Sequence, residues 1–239
     1  ANGIGVAGDY PERLLNISAD SLTAVVTTAG AINIHEENDL DVLNATTPNG
    51  DVLIVSEDGS LNVTTIAANG AGNTVTLGAA GSITDAANDD AANITATNLV
   101  LSAGQSVGSD DNTLEVDVAT LAAYAQNNLH VTDLSGDLTV GTINLAGVGE
   151  FSGAETRDGD LVLKTAGSLR IDAAISAGGD VSLTASTGTI TGAADLTHVT
   201  GKDLAATAAA GIDLVTTVDS ASLDVTGAGD ITLVENDGA

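Results

Sequence analysis

The sequence of 239 residues predicts an all-β fold, a right-handed parallel β-helix of about 11 coils of about 21 residues each. Three observations carry that prediction. A short strand unit recurs at a fixed period, a longer block holds several such units, and the composition is almost empty of aromatic side chains.

The short unit is Gly or Asn, a small polar residue, then apolar–polar–apolar. It reads Gly50-Asp51-Val52-Leu53-Ile54, Gly59-Ser60-Leu61-Asn62-Val63, Gly136-Asp137-Leu138-Thr139-Val140, Gly179-Asp180-Val181-Ser182-Leu183 and Gly229-Asp230-Ile231-Thr232-Leu233. Each is a short strand of period two opened by a turn residue. Asp residues in one phase fall at 137, 160, 180 and 203, and glycines in a second phase at 167, 188, 211 and 229. Both series step by about 21 residues, as coils of a solenoid would.

The longer block repeats after about 100–109 residues. Gly59-Ser60-Leu61-Asn62-Val63 returns as Gly167-Ser168-Leu169-Arg170-Ile171, and Gly81-Ser82-Ile83-Thr84 as Gly188-Thr189-Ile190-Thr191. The chain is therefore read as one solenoid segment of super-repeats, approximately 1–102, 103–210 and a partial 211–239, with small insertions absorbed at turns. A unit of this size cannot bury its own apolar face, but stacked on its neighbours it can. Val52, Ile54, Leu61, Val63, Leu161, Leu163, Leu169 and Ile171 are expected inside, and Thr76, Thr139, Ser182 and Thr232 outside.

Composition agrees. With no Trp, one Phe and two Tyr, the core must be thin enough for aliphatic side chains to fill. A pair of immunoglobulin-like sandwiches would suit the block length, but not the sub-period of about 21 residues within each block. The Ala-rich stretches 86–92 and 121–126 invite a helix; because Leu121 aligns with Leu22 and Leu223, strand plus corner is expected at the second. Pro11 and Pro48 are expected at corners, where a missing amide donor does little harm.

The charge narrows function. Asp and Glu number 33 against 5 Lys and Arg, a formal net charge of −28, so no basic face exists for nucleic acid or an anionic bilayer. There is no Cys and hence no disulfide scaffold, and no apolar run long enough to span a membrane as a helix. The chain opens on Ala1 and contains no Met, which reads as a piece of something longer.

The wording of the repeats carries a resemblance. Asn2-Gly3-Ile4-Gly5, Ala19-Asp20-Ser21-Leu22-Thr23-Ala24, Gly30-Ala31-Ile32-Asn33-Ile34-His35-Glu36, Gly81-Ser82-Ile83-Thr84-Asp85 and Asn93-Ile94-Thr95-Ala96-Thr97-Asn98-Leu99 together resemble the repeat regions of filamentous-haemagglutinin-type giant surface proteins of Gram-negative bacteria. The resemblance covers essentially the whole chain and brings no catalytic motif. It implies a right-handed β-helical shaft, secreted and held at the cell surface, serving adhesion, a sheath or a biofilm matrix. The partners it implies are neighbouring repeats or further copies end to end, with cell-surface glycans as a further class.

Candidate chemistry rests on the acids, 25 of which are Asp. The Ca²⁺ candidates are Asp110, Asp111, Asp137, Asp160 and Asp180, at turn-like positions where carboxylates and carbonyls of successive corners would meet. The plainer reading is that Asp favours turns through its own bonding to the backbone and keeps a fibre soluble. No other cofactor is expected. Arg157-Asp158-Gly159-Asp160 with Lys164 is the one mixed-charge knot, and a catalytic role is not expected of a segment that is merely repeated. His35, His130 and His198 fall in different registers and are expected singly, exposed or at corners. The sequons at Asn16, Asn44, Asn62 and Asn93 are read as by-products of Asn/Thr richness.

Overall fold

The computed structural model describes residues 3–5 and 14–236. Among them there is no helix, and 22 of the 24 strands form one sheet wound into a β-solenoid of about 11 turns. Every pairing in that sheet is parallel, each strand lying on its counterpart one coil away. One column shows how far the register holds. Leu40 lies on Leu61, then Ile83, Val107, Leu129, Leu161, Val181 and Leu204. All eight are 0–2% exposed. At ~4.8 Å per coil the stack is roughly 50 Å long.

The eight residues expected inside are all buried in one continuous core cluster of Val, Leu, Ile and Ala. Thr232 is exposed, whereas Thr76, Thr139 and Ser182 point outward but are half-covered by their coil neighbours. The Ala-rich stretches are not helical: residues 86–92 form bends, and 121–125 belong to the strand Leu114–Ala125. Pro48 follows the strand Leu40–Thr47 at a corner; Pro11 lies outside the described residues.

The structure departs from the sequence reading at one insertion, larger than the small ones expected. Steps along the column just traced run from 20 to 24 residues, except for 32 between Leu129 and Leu161. The excess is an antiparallel hairpin, Thr142–Leu145 paired with Gly149–Ser152, that leaves one face and returns to it. Val140 stacks under Leu121 before the hairpin, and Ala154 under Ala123 after it. Thus the solenoid ladder is interrupted by one residue position while the extra chain stays outside. Its apolar side, Ile143, Leu145 and Phe151, covers Val100 and Ala122, two outward residues of the sheet below. The only Phe of the chain therefore lies outside the aliphatic core.

This insertion also corrects the series of aspartates. Asp160 and Asp180 share a corner, since Leu161 pairs with Val181, but Leu138 pairs with Leu169. Asp137 therefore belongs to another corner, and its 23-residue spacing from Asp160 is a coincidence of the hairpin's length. The glycine series suffers no such break, because Leu169, Ile190, Ile212 and Ile231 pair in succession after the insertion.

The Gly–Asp and Gly–Ser openings of the repeat have a steric origin. A Cβ on Gly179 would collide with Asp160 Oδ1 and with the backbone of Gly159; one on Gly188 would collide with Ser168 Oγ. Gly167 stands in the same relation to Asp137 Oδ1. Each glycine leaves room for the polar side chain of the coil below, and that side chain caps an amide at the corner. Gly78 differs, as an added Cβ would meet only Val55 methyls at 3.7 and 3.8 Å. Gly179→Ala is expected to destabilise by about 1–3 kcal/mol through overpacking. Gly78→Ala is expected to stabilise by about 0.4–1 kcal/mol by restricting the unfolded chain. Urea unfolding of the two variants beside the parent checks both signs; equal effects would remove the steric account of the motif.

Candidate functional site

The acidic residues fall into two environments. In the first, they are parts of the corner. Asn128 Oδ1 accepts the Asp160 N–H at 3.0 Å, Asp160 Oδ1 accepts the Asp180 N–H at 2.8 Å, and Asp180 Oδ1 accepts the Asp203 N–H at 3.3 Å. The ladder ends where the Ser220 hydroxyl donates to Asp203 Oδ1 at 2.6 Å. Asp137 Oδ1 accepts the Ser168 N–H at 2.7 Å, and Asp39 and Asp51 do the same for Ser60 and Thr74. Corner amides would otherwise lack acceptors, so the carboxylates replace strand bonding where the chain turns. Beside the Asp160–Asp203 rail runs a shallow groove of about 280 Å³ over Val162, Ser182, Ala205 and Ser222.

The second environment is an acidic pocket of about 190 Å³ between the bend at 86–93 and the loop at 108–113 on the next coil. Asp89 and Asp90 enter from the first, Asp110, Asp111 and Asn112 from the second, and Thr113 and Glu115 line it where the strand Leu114–Ala125 begins. No Lys or Arg lines it. The loop is tied to the coil below, for Asn112 Nδ2 donates to the Asp85 carbonyl at 3.1 Å. Asn88 takes a left-handed backbone conformation at φ 51°, a region that Asn tolerates better than most residues.

Glu115 is the unusual member. It is 7% exposed, yet Oε2 has no hydrogen-bond partner, while Oε1 accepts from the Thr113 hydroxyl at 2.5 Å. Its pKa is raised, first by burial and then by Asp85 and Asp90, against the Thr113 bond. Asp85 is buried as well: Oδ1 accepts from Asn93 Nδ2 at 2.6 Å and from the Ala87 N–H at 2.8 Å, and Oδ2 is unpartnered. Next to them His130, 2% exposed, places Nδ1 3.2 Å from Asp110 Oδ1, an ion-pair contact without hydrogen-bond alignment. Burial lowers its pKa, opposed by Asp110 and Asp160. As the side chains stand, no three His, Asp or Glu among the described residues converge to enclose a metal ion.

The five sequence-predicted positions are thus divided. Asp110 and Asp111 share the pocket, Asp160 and Asp180 share a rail, and Asp137 caps a different corner. Glu115 escaped the sequence reading, because between the inward Leu114 and Val116 it occupies the outward polar position of an ordinary strand unit. His130 and His198 are buried, and His130, inside the strand Leu129–Asp133, is neither exposed nor at a corner as expected. His198 sits at a corner as expected, with Nδ1 accepting the Val215 N–H at 2.9 Å and Nε2 2.7 Å from the Ala193 carbonyl. That pattern requires a neutral ring protonated at Nε2. His35 is partly exposed, 3.0 Å from Glu57. Asn93 is buried and bonded to Asp85 and the Val63 carbonyl, so this sequon serves the fold.

Away from the pocket, Asp133 is 1% exposed and its pKa is pushed up to about 6. Burial is the first cause, opposed by the Val118 N–H and the Thr165 hydroxyl. The folded chain therefore holds this proton to about pH 6, whereas the unfolded chain releases it near 3.8. Stability from this group falls as pH rises between those values and is constant above them. His130 has the opposite sign, costing stability as pH falls through the ordinary histidine range. Asp133→Asn retains an acceptor for Val118 and a donor for Thr165. It is expected to raise stability at pH 7 by about 1–2 kcal/mol, with the gain vanishing near pH 4. Denaturant midpoints of parent and variant at both pH values check it; a pH-independent difference would refute the assignment.

Comparison of the chain with protein-family models, with curated proteins and with solved structures gave no match, so the fold and the two acidic environments are the ground on which function is argued.

Proposed function

We propose that this chain is a structural shaft segment of an extracellular filament or very large surface adhesin, acting mechanically and without catalysis. The observation that carries this reading is the parallel pairing repeated from coil to coil, with one buried aliphatic column running from Leu40 to Leu204. Bending such a rod separates stacked side chains and strains ladder bonds along the same side, which makes it stiff. A surface dominated by carboxylates repels its like, so shafts lie near one another without clumping sideways.

The last described coil offers a surface that further coils would fit. Ile231 and Val234 are 47% and 50% exposed on the strand Ile231–Glu235, which pairs on one side with Gly211–Val225. Among the described residues its other edge has no strand beside it. Such an edge is a template for another strand. Further coils of a longer chain, or another copy stacked end to end, would complete it. Location at the cell surface rests on the resemblance of the repeats and on the acidic, cysteine-free composition.

Electron microscopy and small-angle scattering test the reading. Rods of roughly 50 Å per unit are expected, lengthening along the axis as concentration rises. Substituting Lys for Ile231 and Val234 is expected to abolish lengthening and leave the unit rod intact. Compact, equiaxed particles would overturn the shaft.

A further inference from the structure

We propose that the pocket formed by Asp89, Asp90, Asp110, Asp111 and Glu115 binds one Ca²⁺, which ties the corner loops of two successive coils together. The acidic cluster alone would not carry this, since most carboxylates of the chain are explained as corner caps or solvated charge. The independent observation is Glu115, 93% buried by its 7% exposure, lining the pocket with an oxygen that no protein group satisfies. Buried carboxylate oxygens are ordinarily paired, and one left over needs an ion, a proton or water. The adjacent Asp85 Oδ2 is orphaned in the same way. An ion shared with the loop aspartates would offset two of the five negative charges that no Lys or Arg of the lining offsets.

The donor set selects the ion. Carboxylates, the Asn112 amide and the Thr113 hydroxyl are hard oxygen donors, and there is no Cys in the chain to favour a softer metal. Ca²⁺ accepts 6–8 oxygens in irregular geometry, whereas Mg²⁺ demands a near-octahedral shell. The carboxylates do not converge as the side chains stand, and residues 86–92 and 108–113 lie outside named strands, so an ion can draw them in. Glu115 does not share that freedom. The Glu115 N–H donates to Asn93 Oδ1 at 3.0 Å and the residue is paired to Thr132 across the ladder, which makes it the fixed ligand. His130 stands behind Asp110 as a positioning residue.

The proposal stands apart from the shaft reading, whose own readout is particle shape. Chelator-treated protein is titrated with CaCl₂ by calorimetry in 0.15 M KCl, with MgCl₂ in parallel and the melting temperature followed. Expected are saturable heat for one Ca²⁺ per chain, a higher melting temperature, and Mg²⁺ binding at least tenfold weaker. Glu115→Gln keeps the shape and the Thr113 contact, and is expected to weaken Ca²⁺ at least tenfold without lowering the ion-free melting temperature. The exposed pair Asp110→Asn and Asp111→Asn should weaken it similarly, whereas Asp180→Asn, on the distant rail, should leave affinity unchanged. Absence of saturable heat, several weak ions per chain that compete with KCl, or affinity unchanged in both the Glu115→Gln and the Asp110/Asp111 variants would overturn the proposal.

Discussion

The structure depends on registry between successive coils. A single coil has no inside: its Val, Leu and Ile side chains meet water on the axial faces, and its amides lack partners. Both deficits are met only by a second coil placed directly above or below, since parallel pairing supplies the hydrogen bonds and the aliphatic columns supply the burial. A slip of one residue would turn a whole strand inside out. Insertions are therefore tolerated only where the register resumes on either side of them. The hairpin at Thr142–Ser152 shows the allowed form, extra chain folded onto an outer face with its own apolar side buried against Val100 and Ala122.

The same registry explains the corners. Where the chain turns, the sheet can no longer supply acceptors for every amide, and Asp, Asn and Ser side chains of the coil below do so. Those side chains need space at the next coil, which is why glycine recurs beside them. At corners such as Asp137–Gly167 and Asp160–Gly179, the Asp and the Gly of the repeat are thus one feature with one cause. Repulsion between carboxylates stacked coil on coil is the accompanying cost, moderated by water, mobile cations and the N–H groups themselves. In the pocket around Glu115 carboxylates from two successive corner loops accumulate, and one of them, Asp89, still caps an amide, the Ala91 N–H.

Much of this was legible in the residues. Alternation in units such as Gly179-Asp180-Val181-Ser182-Leu183 marked strands, and the interior positions Val52, Ile54, Leu169 and Ile171 followed from it. Less legible was the assignment of repeats to corners. Asp137 and Asp160 look like one series because a hairpin of eleven residues was added to a coil that otherwise would have set them out of step. Spacing along the chain carries no label for insertion, so a coincidental interval reads as a repeat. The burial of His130 and His198 was hidden for a related reason: each meets a group from another coil, Asp110 for His130 and the Val215 amide for His198.

The sequence by itself determined the strand period, the direction in which each side chain of a unit points, the aliphatic character of the interior and the anionic exterior. These are local properties, set by alternation, side-chain volume and charge. Tertiary structure decided which corner lies over which, where the hairpin rests, and that Asp89, Asp90, Asp110, Asp111 and Glu115 share one pocket while Asp137, Asp160 and Asp180 cap backbone amides. Those outcomes depend on contacts between residues a full coil or more apart, and only the stacked chain brings them within reach of each other.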